Sequence, residues 1–255
     1  MKTTLTKTCE VKALVWDNES VLVAPDWKRC YDIAYEKLGI KAPLAGDPSR
    51  GKHFKKMLSV PITPDIDRQL NTFVQGPEED NYLQSYTSSR INSEEFWPIA
   101  CQYGFELEPT SENVAAICTA QTYLIKNLDG QIMDIPKVVE VLKSAAEVLP
   151  QYMLSNTNPE IYEGIKDADF LKFIPEKNRL FSIFIQCRKP SAESFESLIE
   201  RAACEPQKIL FIDDKDLNIE VGRNHGISGI VFNGQTEPVE NLIHHLEDFG
   251  IIISE

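Results

Sequence analysis

Four short apolar runs are spread along the chain, and each runs into a polar residue. Ala13, Leu14, Val15 and Trp16 lead to Asp17; Tyr152, Met153 and Leu154 lead to Ser155 and Asn156. Leu180 to Ile185 leads through Cys187 and Arg188 to Lys189, and Ile209 to Ile212 delivers the adjacent acids Asp213 and Asp214. Runs that are apolar throughout, without alternation, read as strands buried on both faces, as in a parallel sheet covered by helices. Helix signals lie between them. Asp26 caps a helix from Trp27 to about Leu38 that stops at Gly39, and Pro136 opens an amphipathic helix through Val138, Val139, Leu142, Ala145 and Val148. Asn158 and Pro159 read as an N-cap and a first helical residue, a helix is expected from Ser191 to Ala203, and another follows Asp214 through about Arg223. A strand at Ser228 to Phe232 and a helix from Pro238 to Phe249 complete the alternation. Alternating strands and helices predict an α/β fold with a doubly wound, Rossmann-like parallel sheet.

The middle of the chain breaks this rhythm. From about 44 to 128 the patterns are helical: Ser49 to Ser59, Thr63 to Leu70, Glu78 to Tyr86, Asn92 to Tyr103 and Ser111 to Lys126, with no convincing strand. Asn92 followed by Glu95 fits a capping box. The expected organisation is a core of residues 1–25 and 129–255 with an all-helical subdomain, 26–128, inserted after the first strand. Asp129 and Gly130 form the turn back. The basic stretch Arg50, Lys52, His53, Lys55 and Lys56 reads either as a solvated helix face or as a lure for an anionic substrate.

Composition narrows the function. With 255 residues, 42% hydrophobic, the chain buries a core without staples. Its net charge of −13 argues against a nucleic-acid surface. Cys9, Cys30, Cys101, Cys118, Cys187 and Cys204 form no CxxC pair or dense framework, which favours free thiols in a reducing compartment. The first residues contain no apolar stretch of signal-peptide length, and no segment reaches membrane-spanning length, so a cytoplasmic protein without a membrane partner is expected. His244 and His245 are adjacent, point in different directions from a helix, and are expected on the surface.

In open α/β sheets ligands bind at the carboxyl ends of the strands, where Asp17, Ser155, Lys189, Asp213 and Asp214 all fall. Any one of these has an ordinary alternative, such as a helix cap; together they form a constellation. The segments WDNESVL, LSNTN, RKPSAESF and FIDDKDLNIEVGRNHGI resemble, in chain order, the four motifs of the haloacid dehalogenase superfamily. The resemblance covers residues 11–25 and 130–235, and the helical insertion lies where that family places its cap.

The resemblance implies a phosphohydrolase. Asp17 would be the nucleophile that forms an aspartyl-phosphate. Asp17, Asp213 and Asp214, with the main-chain carbonyl of Glu19, would hold Mg²⁺, which prefers hard oxygens. Ser155 and Asn156 would contact the phosphoryl group, and Lys189 would neutralise Asp17. Glu19 departs from the family pattern, which has Asp there as acid and base, and Ser20 replaces the usual Gly. Glutamate keeps the carboxylate but is longer by one bond, about 1.5 Å. Either the backbone recentres it or acid–base help is reduced. The expected activity is Mg²⁺-dependent hydrolysis of a small phosphorylated metabolite such as a sugar phosphate, with transfer to a sugar hydroxyl as a variant. The alternatives are a catalytically impaired scaffold that binds a ligand or protein, and metal-independent attack of Asp17 on carbon as in dehalogenases.

Overall fold

The computed structural model describes residues 1–39, 86–89, 91–104 and 107–254. The helical patterns at 49–59, 63–70 and all but the last residue of 78–86, and the basic stretch from Arg50 to Lys56, lie outside the described residues. In chain order the elements are β1 (Lys2–Leu5), β2 (Ala13–Trp16), α1 (Trp27–Lys37), α2 (Ser93–Ile99), α3 (Ser111–Thr122) and α4 (Pro136–Ala145). There follow β3 (Gln151–Ser155), α5 (Pro159–Ile165), β4 (Arg179–Phe181), the single-turn α6 (Ser182–Ile185) and α7 (Ala192–Ala202). The last are β5 (Ile209–Asp213), α8 (Asp216–Asn224), β6 (Ser228–Val231), α9 (Val239–Asp248) and β7 (Ile251–Ser254). Among the described residues, no helix is long and apolar enough to cross a membrane.

The chain divides into two compact units: Met1–Pro25, Ile132–Asn156 and Ile165–Glu255 form one, and Asp26–Gln131 with Thr157–Gly164 form the other. The first is built on a five-stranded sheet in the order β4-β3-β2-β5-β6, with every neighbouring pair parallel. The α/β class expected from the alternation is therefore the class observed. β2 lies in the middle, β3 and β4 extend the sheet to one side, and β5 and β6 extend it to the other. That reversal creates a crevice at the carboxyl end of β2.

The apolar runs are strands because both their faces are covered. Ala13, Val15, Tyr152, Leu154, Ile209 and Phe211 share a buried cluster with Phe195 and Leu198 of α7 and Ile219 of α8. The alternate residues Leu14, Trp16, Met153, Leu210 and Ile212 are buried as well. Each large apolar side chain so buried contributes about 1.5 to 3 kcal/mol. Trp16 satisfies its indole N–H on Gln151 Oε1 at 2.8 Å, so this bulk is buried with no polar cost.

Two local expectations are refined, and one element is added. The run Leu180 to Ile185 is a strand only through Phe181, after which Ser182–Ile185 turn as a short helix. A short apolar run does not by itself distinguish strand from helix. The helix opened by Asn92 becomes a wider π-type turn at Ala100–Gly104, just after Pro98, which removes a helix donor. A second, two-stranded antiparallel sheet of β1 and β7 is also present. In β1 only Thr3 is buried, and its hydroxyl meets Ser144 Oγ at 2.7 Å, so the strand carries no apolar signal.

In the helical unit, Asp26 accepts the Arg29 N–H at 2.9 Å and starts α1. Asn92 and Glu95 make the reciprocal capping box of α2 at 3.0 and 2.9 Å. Tyr86 and Phe96 stack with ring centroids 4.2 Å apart, and Trp97 meets Phe96 edge-on at 4.9 Å. Glu160, in the first turn of α5, accepts hydrogen bonds from the Tyr86 hydroxyl, from Ser93 Oγ at 3.1 Å and from Trp97 Nε1 at 2.8 Å. One carboxylate thus gathers the polar ends of an otherwise apolar aromatic cluster. Glu160→Ala is expected to destabilise the protein by roughly 2 kcal/mol, because it strands these donors. Glu160→Gln, which keeps an acceptor oxygen, should lose less; equal losses in urea denaturation would refute the acceptor role.

Candidate active site

Register brings the acids together. Trp16 lies opposite Met153 on one side and Ile212 on the other, so Asp17, just beyond Trp16, is level with Asp213 and one step short of Ser155. The Asp17 N–H donates to Ile212 O at 2.9 Å and extends the ladder by one residue. Lys189 comes from the loop before α7. Its main chain is held in both directions by Asn156, which donates from Nδ2 to Lys189 O and accepts the Lys189 N–H at Oδ1, each at 2.8 Å. Its Nζ lies 2.8 Å from Asp17 Oδ1 and 2.5 Å from Asp213 Oδ2, and 5.2 Å from the centre of the Phe211 ring. The side chain is 1% exposed.

The two acids that flank Lys189 differ in how they are used. On Asp17 both contacts fall on Oδ1, from Lys189 and from the Asn18 N–H at 2.7 Å. Asp213 is engaged at both oxygens: Oδ1 accepts from the Lys215 N–H at 2.9 Å and Asn218 Nδ2 at 2.9 Å, and Oδ2 accepts from Asn218 Nδ2 at 3.0 Å and from Lys189. Asn218 was not legible in advance. It lies in the first turn of α8, on the side that faces back to the acidic pair, and only the helix direction shows this.

Asp17, Asp213 and Asp214 each offer a carboxylate oxygen, and these lie within 4.8 Å of one another. Lys189 is the buried cation among them. Burial raises Asp17 above the usual carboxylate range; Lys189 pulls it back and Asp213 pushes it up again. Asp214 is raised by burial, with Lys215 opposing and Asp213 reinforcing the shift. Burial alone would lower Lys189, but the carboxylates of Asp17 and Asp213 outweigh it and hold the ammonium charged. Negative charge therefore exceeds what the protein neutralises. A cluster of hard oxygens with uncompensated charge suits a divalent cation such as Mg²⁺.

Glu19 sits in a tight turn. Asn18 O accepts from both Leu22 and Val23 at 2.9 Å, and Ser20 donates to Val23 O at 2.8 Å. The Glu19 carbonyl accepts none of these main-chain bonds. Ser20 has φ 64°, a left-handed conformation that costs a non-glycine residue about 1–2 kcal/mol. Gly234 lies so close beneath that an added Cβ would be 2.8 Å from Val21 O. Burial, and then the negative charge of Asp17, push the Glu19 carboxyl up to about 7, against the pull of Lys215 and Lys189. Lys215 is exposed and was also missed by sequence reasoning, although it adjoins the acidic pair.

Ser155 Oγ is buried at the tip of β3 and has no hydrogen-bond partner, which fits a site built for an added acceptor. The Asn18 side-chain amide is likewise buried and unpartnered. Elsewhere, His244 faces Glu247 at 3.4 Å on the surface of α9.

A family model for haloacid dehalogenase-like hydrolases matches residues 11–226. No curated protein matches the chain by sequence. Among solved structures, a HAD-like family hydrolase of Porphyromonas gingivalis superposes with TM-score 0.63 at 18% identity, over 93% of this chain and 98% of its own. A HAD family enzyme of Bacteroides thetaiotaomicron, solved with magnesium and inorganic phosphate, superposes with TM-score 0.60 at 20% identity, over 91% and 98%. The L-2-haloacid dehalogenase of Xanthobacter autotrophicus, solved with chloropropionic acid covalently bound, gives TM-score 0.53 at 17% identity, over 86% and 76%.

The electrostatics carry a stability signature. A carboxyl whose folded pKa lies above its unfolded one binds its proton more tightly when folded, so ionisation opposes folding as pH rises from about 4.5 through about 7. In EDTA, Glu19→Gln should therefore stabilise the protein, with a gain that grows from pH 5 to pH 8 and reaches roughly 2 kcal/mol. A pH-independent difference in melting temperature would overturn this account of Glu19.

Proposed function

The chain belongs to the haloacid dehalogenase-like hydrolases, and on that footing we propose that it is a Mg²⁺-dependent phosphatase of a small phosphorylated metabolite. The observation that carries this reading is the excess of buried carboxylate over cation around Asp17. Attack on phosphorus by a carboxylate needs such a charge balance, completed by a metal. The Bacteroides thetaiotaomicron enzyme, with its magnesium and phosphate, lends support from the same fold.

Asp17, the Glu19 main-chain carbonyl and Asp214 are the direct ligands in this reading. Asp213, whose oxygens already serve Lys189, Asn218 and the Lys215 N–H, completes the acidic set as an anchor. The bound cation would screen charge between nucleophile and phosphoryl oxygens. Lys189 and the Asn18 N–H hold Asp17 Oδ1, which leaves Oδ2 to attack phosphorus as the bond to the leaving oxygen breaks. Glu19, protonated near neutral pH, gives its proton to that oxygen. It then takes one from the water that attacks the aspartyl-phosphate, and the Asp17 carboxylate is restored. Ser155 Oγ donates to a phosphoryl oxygen, and Asn156 acts through the main chain of Lys189. The helical unit that follows Pro25 stands in the place of the family's cap. The cysteines are all free thiols, which suits a cytoplasmic setting.

Attack on carbon is the reading favoured by likeness to the Xanthobacter autotrophicus dehalogenase. Asp214 and Glu19 have no task in it. Hydrolysis of p-nitrophenyl phosphate and a panel of sugar and nucleoside monophosphates separates the two. The expected result is release that requires Mg²⁺, stops in EDTA and falls by on the order of 10³-fold or more in a folded Asp17→Asn variant. Metal-dependent hydrolysis that survives in that variant would sink the assignment, and no release from any ester would favour a binding scaffold. Glu19→Asp tests reach: if the longer acid is well placed, shortening it by about 1.5 Å should slow esters with poor leaving groups by roughly 10²-fold. A faster Glu19→Asp enzyme would show that Glu19 is displaced.

A further inference from the structure

The turn that carries Glu19 is gripped from outside by the loop after β6. The Gly234 N–H donates to Ser20 O at 2.7 Å. The side-chain amide of the next residue, Gln235, reaches the same turn twice: Oε1 accepts from Ser20 Oγ at 3.4 Å, and Nε2 donates to Pro25 O at 3.2 Å. One neutral side chain thus joins the two ends of the stretch from Ser20 to Pro25. The arm is stiff before it arrives there. Asn233 Oδ1 accepts the N–H groups of Gln235 and Thr236 at 3.0 and 3.3 Å, and Asn233 and Glu237 bond one another in both directions at 2.8 and 2.9 Å. Ser20 has a use for such a partner. At φ 64° a glycine would sit freely, whereas a serine is strained and has only its hydroxyl to offset the strain. We propose that Gln235 is a positioning residue: it clasps the strained turn at Ser20 and Pro25 and so holds the Glu19 carboxyl against the leaving oxygen. The proposal rests on the phosphatase reading, which gives Glu19 its proton to deliver.

The consequence falls on one step of the reaction. Asp17 extends the ladder between β2 and β5 through its N–H on Ile212 O, and the main chain of Lys189 is held by Asn156, so neither depends on Gln235. Glu19 does, since it directly precedes Ser20. With the clasp gone, the Glu19 carboxyl samples a wider range of positions while the nucleophile keeps its own. Protonation of the leaving oxygen suffers, and attack on phosphorus does not. Alkyl phosphates need that proton because an alkoxide leaves poorly, whereas p-nitrophenolate leaves without it. A residue that only supports the fold would lower both activities by the same factor.

The test compares p-nitrophenyl phosphate with the sugar or glycerol phosphate that wild type hydrolyses fastest, on wild type, Gln235→Met, Ser20→Gly and the double variant. Methionine keeps the length of this exposed side chain and removes both polar atoms. Gln235→Met is expected to lower kcat for the alkyl ester by about 10-fold, with KM changed by less than about 3-fold and p-nitrophenyl phosphate slowed by less than about 2-fold. In the Ser20→Gly background, where the left-handed residue is unstrained, the same substitution should slow the alkyl ester by less than about 3-fold. Melting temperatures read the coupling without any substrate: Ser20→Gly should raise Tm by about 1 to 3 °C more in Gln235→Met than in wild type. Equal changes on the two esters, or effects of the two substitutions that simply add, would overturn the proposal. So would a wild type that hydrolyses p-nitrophenyl phosphate but no alkyl ester, since Glu19 would then deliver no proton, although the phosphatase reading would stand. A wild type that hydrolyses no ester defeats both.

Discussion

A single buried ammonium, Lys189 Nζ, stands between Asp17 and Asp213, and the candidate site depends on it. Each of the three groups would be costly to bury alone. Taken together they still leave one negative charge in excess, and Asp214 adds another nearby. Replacing such a cluster with apolar residues is often neutral or stabilising, so stability does not explain its presence. A cluster of hard oxygens with charge in excess suits a divalent cation. The protein tolerates it because Lys189 is held through its main chain by Asn156 and over the face of Phe211.

The same logic explains why the turn after Asp17 is strained. Ser20 adopts a left-handed conformation, and Gly234 must lack a side chain to let the turn close against it. The strain places Glu19 beside Asp17 with its carbonyl outside the turn's own hydrogen bonding. Burial next to a second acid then keeps the Glu19 carboxyl protonated up to about 7. The acid here is longer by one bond than the one usual in the family, and it sits in a distorted turn. Its cost is paid in local backbone energy rather than in the core.

The helical unit is organised by a different principle. Its aromatic rings pack against one another, and the polar atoms of that packing converge on Glu160. Glu160 belongs to α5, which begins three residues after Ser155 leaves the sheet at Asn156 and which groups with the helical unit. Ser155, with its orphaned hydroxyl, is the last residue of β3, and the chain passes from one unit to the other between Asn156 and Thr157.

The sequence by itself determined the parallel α/β sheet and put Asp17, Ser155, Lys189, Asp213 and Asp214 at the ends of its apolar runs, while the order of the strands came from the structure. Fully apolar runs alternating with amphipathic helices pack between two layers of helix, and in a parallel sheet their carboxyl ends share an edge. Capping residues such as Asn92 and Asp26 were readable because they satisfy donors three positions away. The two-stranded sheet of β1 and β7 was not readable, since a polar strand such as KTTL exists only by virtue of a partner some 250 residues distant. The turn within 180–185 was hidden for the opposite reason, because apolar residues suit a buried strand and a buried helical turn alike. Only the tertiary structure decided how the site's polar groups divide their hydrogen bonds. Asn156 serves the main chain of Lys189, and Asn218 serves Asp213. Such choices turn on angles and distances between elements far apart in sequence, and residue type and spacing carry no record of them.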